Sequence, residues 1–109
     1  MAYDEQLAKR LSKLVAQRSD FYEQKMFGGV GFLLRGNMCF GIYKDYLILR
    51  LGSEQAQKAL KKSHTKPFDI TGRVMKGWVM VASEGIQSQT SLKQWITPAI
   101  DFVSQLPRK

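Results

Sequence analysis

The sequence predicts an α+β domain of two layers, with helices packed on one mostly antiparallel sheet. Three observations carry the prediction. Apolar residues recur at helical spacing near both ends of the chain, the period drops to two between Val30 and Leu51, and the breaks inside that reach are short enough for hairpins. The expected order is helix, three strands, helix, two strands, helix. At 109 residues there is room for one domain, expected to run over 1–109.

The first helix is expected from Asp4 to about Arg18. Leu7, Leu11, Leu14 and Val15 fall at i, i+4, i+7 and i+8, Asp4 can cap the amino end, and Arg18 complements the dipole at the other end. Ser19 and Asp20 then break the pattern. In the glycine-punctuated reach Lys25–Ile42, Val30, Phe32 and Leu34 alternate with Gly31, Leu33 and Arg35, and Met38, Phe40 and Ile42 with Cys39, Gly41 and Tyr43. Gly36-Asn37 and Lys44-Asp45 are hairpin turns between these runs and a third, Tyr46–Leu51, so a three-strand meander follows.

Ser53 is the expected cap of a short helix with Ala56, Ala59 and Leu60 as its apolar face, closing near Ser63. Phe68–Ile70 reads as a brief strand, Thr71-Gly72-Arg73 as a turn, and Trp78–Ala82 as a strand after Lys76-Gly77. Ser83–Ser91 reads as a loop. Leu92, Trp95, Ile96, Ala99, Val103 and Leu106 space themselves as a closing helix stopped by Pro107.

Gly28-Gly29-Val30-Gly31 invites comparison with a phosphate-cradling loop. A dinucleotide fingerprint, however, leads from a strand into a helix, and here a strand follows; a bulge or a close backbone approach is the expected use. Cys39 and His64 are single members of their types, which excludes a zinc site built from such ligands and leaves one pairing for a nucleophile and base. Cys39 is expected as buried filler and His64, in KKSHTK, as solvated. The acidic residues fall on caps, turns and helix surfaces, with no convincing acid–base pair. No catalytic residue, metal or cofactor is therefore expected.

Net charge is +8, from 17 basic against 9 acidic residues, which favours a polyanionic partner. The sharpest candidate for such contacts is the run Lys58, Lys61, Lys62, Lys66, Arg73 and Lys76, where the first three share a helix face by spacing. Bases would also need exposed rings nearby, and Phe68 and Trp78 are expected in the core. Met26 and Phe27 precede the first confident strand, where a protein partner could reach them. The start, MAYDEQLAKRL, carries no apolar signal or span, so a cytoplasmic location without membrane association is expected, and the lone cysteine fits a reducing compartment.

Taken together, KMFGGVGFLLRGNMCFGI, YLILRLG, FDITGRVMKGWVMV and SLKQWITPAIDFVSQLPRK resemble the TfoX N-terminal domain family, associated with bacterial regulators of competence. The marks are Met26-Phe27-Gly28-Gly29, Gly36, Leu47 with Arg50, and Thr71-Gly72-Arg73 followed by Met75-Lys76-Gly77. The resemblance implies the same element order and backbone roles for Gly28 and Gly29, with Gly36, Gly72 and Gly77 as further structural positions of the motif. It also implies a stand-alone counterpart of a domain that the competence regulators join to a carboxyl-terminal helical domain. The expected function is a non-enzymatic regulatory or protein-interaction domain linked to transcription, with a surface made by edge strands or the region around Met26. A homodimer is compatible with this. The alternative is a sequence-independent nucleic-acid binder using the basic run; an enzyme ranks below both.

Overall fold

A computed structural model describes residues 3–26, 29–68 and 76–107. Asp4 caps the first helix, α1 (Glu5–Leu14), its carboxylate accepting from the Gln6 and Leu7 amides at 3.0 and 3.1 Å. The helix stops at Leu14 rather than Arg18. Val15 leaves helical geometry, and beyond it Ala16, Gln17 and Arg18 are exposed, so no apolar stripe rewards another turn. Arg18 instead donates twice to Asp20, at 3.1 and 3.0 Å, and lies 5.3 Å from the Phe21 ring centre.

The sheet has six antiparallel strands where five were expected: β1 (Phe21–Met26), β2 (Gly29–Leu34), β3 (Asn37–Tyr43), β4 (Tyr46–Arg50), β5 (Thr65–Pro67) and β6 (Trp78–Val81). Their spatial order is β1-β2-β3-β4-β6-β5. The meander thus has four strands. β1 escapes periodicity because it is an edge: its helix-facing positions are Phe21, Glu23 and Lys25, and the two charges reach solvent beyond the helices.

Helices α1, α2 (Ser53–Ala59) and α3 (Gln89–Ser104) share one face of the sheet, where Leu7, Leu11, Ala56, Ala59, Leu92, Ile96, Ala99 and Val103 meet Phe32, Phe40, Ile42, Leu47, Leu49, Val79 and Val81 in a single core. Phe32 and Phe40, a cross-strand pair, stack with centres 5.0 Å apart. The opposite face holds a smaller cluster of Ile48, Phe68 and Met80, flanked by Tyr43, Tyr46 and Trp78. Arg10 ties α1 to the chain entering α3, donating to Gln89 Oε1 and the Ile86 carbonyl, both at 2.7 Å. Asn37, the buried polar side chain among the described residues, donates to the Pro107 carbonyl at 2.9 Å and pins the end of the chain to the β2–β3 turn.

Of the two uses expected for Gly28–Gly31, the close approach is found, at Gly29, and the bulge lies further along the strand; Gly28 is outside the described residues. Among the described residues the ladder shifts register between Phe32 and Leu33, opposite Cys39, so that Cys39 and Phe40 both enter the helix-side core and the predicted alternation breaks. Gly29 does mark a close approach: a Cβ there would fall on the Ile42 carbonyl oxygen. Gly36 and Gly77 turn the chain at φ 87° and 86°, in the left-handed region that side chains avoid.

Four boundaries move. α2 closes at Ala59 rather than near Ser63, and Gly52, at φ 85°, occupies its cap position, with Ser53 the first helical residue. The fifth strand lies at Thr65–Pro67, before the expected Phe68–Ile70, because Thr65 Oγ1 donates to the Ala59 and Lys62 carbonyls and so fixes the chain leaving α2. Phe68 follows it, buried; Asp69, Ile70 and the turn Thr71-Gly72-Arg73 lie outside the described residues. Within the expected loop Ser83–Ser91, Ser83–Gly85 forms a 3-10 turn, and α3 begins at Gln89 because Ser88 caps it, accepting from the Ser91 amide at 3.0 Å.

Candidate functional site

No group of three or more potential metal ligands forms among the described residues. Cys39 is fully buried, and that burial pushes its thiol up to about 12, whereas His64 is exposed in the turn before β5. A thiol protonated at neutral pH, with no access to solvent, is packing rather than a nucleophile. Three surfaces remain.

The first is the edge of the sheet. β1 has β2 on one side and, among the described residues, no strand on the other, which leaves a row of backbone donors and acceptors open. Tyr22 is 51% exposed, the most exposed large hydrophobic side chain described. Beside it a pocket of about 220 Å³ opens between the carboxyl end of α1 and β1, with Val15, Ala16 and Phe32 as its apolar lining and Ser12, Arg18 and Glu23 at its polar margin. Ser12 donates to Glu23 Oε1 at 2.9 Å, fastening the helix to the strand. The Arg18 bond holds the Asp20 carboxyl below its ordinary value and the Asp20 partner raises that of Arg18, so both stay charged across the neutral range. Met26 ends β1; its side chain, with Phe27 and Gly28, lies outside the described residues.

The second is a cleft of about 250 Å³ between α2 and α3. Lys58 and Lys62 line it from the α2 side and Trp95 from α3, with Lys62 Nζ 5.2 Å from the ring centre. Trp95 is held by its indole N–H, which donates to the Gly85 carbonyl at 3.2 Å. The Lys58–Glu54 contact at 3.7 Å joins two highly exposed side chains and restrains them little. Trp95 is half-buried, one side packed against the main core, and sequence spacing does not point to its open side because it falls at the margin of the Leu92, Ile96, Ala99 and Val103 stripe. Its distance from the centre of that stripe is the available signal.

The third is the face of the sheet opposite the helices. There Lys66 Nζ lies 4.4 Å from the Tyr46 ring centre, Lys44 Nζ 5.5 Å from Tyr43 and the Arg50 guanidinium 5.6 Å from Trp78. The basic run is therefore divided. Lys58 and Lys62 share the cleft, Lys61 is exposed in the turn after α2, Lys66 is on the other side of the sheet, and Lys76 is exposed before β6. Arg73 and Gly72 lie outside the described residues. Arg50, one of the marks of the resemblance, lies across the ladder from Trp78.

None of the helices is long and apolar enough to cross a membrane among the described residues. A family model described as the TfoX N-terminal domain matches residues 13–103, from the end of α1 through every described strand and α2 into the last turn of α3. Comparison with curated proteins and with solved structures gives no match.

Proposed function

The chain belongs to the TfoX N-terminal domain family, and from that premise we propose that it is a non-enzymatic regulatory domain that acts by docking a protein partner along β1. The family's association with competence regulation supports a role in transcription control. One observation carries the docking mode: an unpaired edge strand runs beside a helix-walled pocket, with exposed Tyr22 at the junction.

A partner segment in extended form adds to the open edge through main-chain hydrogen bonds, and alternate side chains of that segment meet the helix side of the sheet. One of them fills the pocket over Val15, Ala16 and Phe32. Glu23 and Lys25, of opposite charge two residues apart on the helix-facing side, select register by pairing with complementary charges on the incoming strand. Such edges are often blunted against aggregation by charge. Here the same charges serve specificity.

The test is selection of displayed random peptides on the full chain, followed by measurement of each selected peptide on two variants. Ala16→Tyr fills the pocket and Tyr22→Lys removes the exposed ring. Selected peptides are expected to carry a bulky apolar residue, to bind the variants at least about tenfold more weakly, and to slow amide exchange in β1. Peptides that bind both variants as tightly as the parent, or protection confined to other strands, refute the reading.

A further inference from the structure

We propose that the α2–α3 cleft is a site for one nucleotide of a single-stranded nucleic acid, with Trp95 as its stacking platform and Lys58 and Lys62 on the flanking phosphates. The proposal is independent of the β1 edge. It rests on a juxtaposition that the chain order hides: Lys62, from the turn after one helix, stands over an aromatic ring presented by another element, and Lys58 lines the same cleft.

The chemistry of the cleft fits this occupant part by part. A base has an aromatic face, polar edges and a neighbouring negative charge. Trp95 supplies a ring whose orientation is fixed by the bond to the Gly85 carbonyl. Gln55, Gln94 and Ser91 line the same cleft with donors and acceptors suited to base edges. Pro98 contributes apolar surface to the same wall of the cleft as Gln94 and Trp95, one turn or less earlier in α3. The two lysines provide the charge, and the +8 net charge of the chain draws a polyanion to it.

In the free protein the Lys62 ammonium occupies the space over the ring. On binding, the flexible lysine chain swings out to a phosphate and a base takes its place. Base–aromatic stacking is the stronger of the two contacts at an exposed site, so the exchange runs in the direction of binding. A duplex is a poor occupant, because its bases are already stacked and a single cleft of about 250 Å³ accepts one unpaired base at a time.

The chain carries two tryptophans, which makes the site spectroscopically separable. In a Trp78→Phe protein, emission comes from Trp95 alone, and titration with a short oligothymidylate at low salt is expected to quench it. The reciprocal Trp95→Phe protein, emitting from Trp78, is expected to show no quenching and about tenfold weaker binding by anisotropy of a labelled oligonucleotide. The Lys58→Ala/Lys62→Ala double variant is expected to bind more weakly and to flatten the plot of log affinity against log salt by about 1.4, the value for two lost contacts on a single strand. Duplex DNA of the same length is expected to compete poorly. Absence of binding at low salt overturns the proposal, as does binding that leaves Trp95 emission unchanged. Quenching of Trp78 instead moves the contact to the opposite sheet face, and an unchanged salt slope in the lysine variant removes the phosphate contacts; either result also overturns it.

Discussion

Cys39 offers the sharpest quantitative check on the fold. It is 0% exposed, sits where the β2–β3 ladder shifts register, and its thiol is raised by burial from 9.0 to about 12. At pH 8 a thiol of pKa 9.0 is ionised about one part in ten, and one of pKa about 12 about one part in ten thousand. Thiolate population alone therefore slows reaction with an aromatic disulfide reagent by about 10³-fold, and burial adds to this. The expected outcome is that the folded protein labels only through opening, while the protein in guanidinium labels at the rate of a free thiol. The same group predicts an alkaline effect on stability. Between the unfolded and folded values, the folded state keeps a proton that the unfolded state releases, so stability falls with rising pH, by about 1.4 kcal/mol per unit at most. The loss begins near 9 and ends near 12. A Cys39→Ala protein, compared by urea unfolding at successive pH values, should lose stability less steeply over that window. Free-thiol reactivity in the folded protein, or identical alkaline slopes for parent and variant, would show that Cys39 is not in the core and that the register shift is misplaced.

Two further substitutions test the packing. Phe40→Ala removes a fully buried ring stacked on Phe32, and should cost about 3–5 kcal/mol in urea unfolding, a large part of a typical domain's total; a loss below about 1 kcal/mol contradicts the core assignment. Gly52→Ala places a Cβ 2.6 Å from the Phe102 ring at φ 85°, and should lower stability by about 2–4 kcal/mol. Adding Phe102→Ala should relieve the clash and leave the backbone strain, so a double variant that shows no coupling refutes the contact.

Much of the fold was legible because burial writes itself into spacing. The α1 stripe of Leu7 and Leu11, the alternation of Val30, Phe32 and Leu34 in β2 and of Leu47 and Leu49 in β4, and the Leu92–Val103 stripe of α3 each declare a face that needs covering, and the α+β class follows from having both periods. β1 was illegible for the same reason. An edge strand buries little on its outer side, so Glu23 and Lys25 replace the apolar partners that would reveal it. The register shift was also hidden, since it moves Cys39 to the helix-side core without altering the composition of the run.

The candidate sites divide along the same line. A basic domain, a Lys58–Lys76 run dense in positive charge and a glycine pattern that marks a family are all written in the residue order. Which charges act together is set by packing, which sends Lys66 to the far face of the sheet with Tyr46, puts Arg50 against Trp78, and brings Trp95 from a distant helix beneath Lys62. Spacing along a chain reports which side of its own element a residue lies on. Which other element lies opposite is fixed by packing.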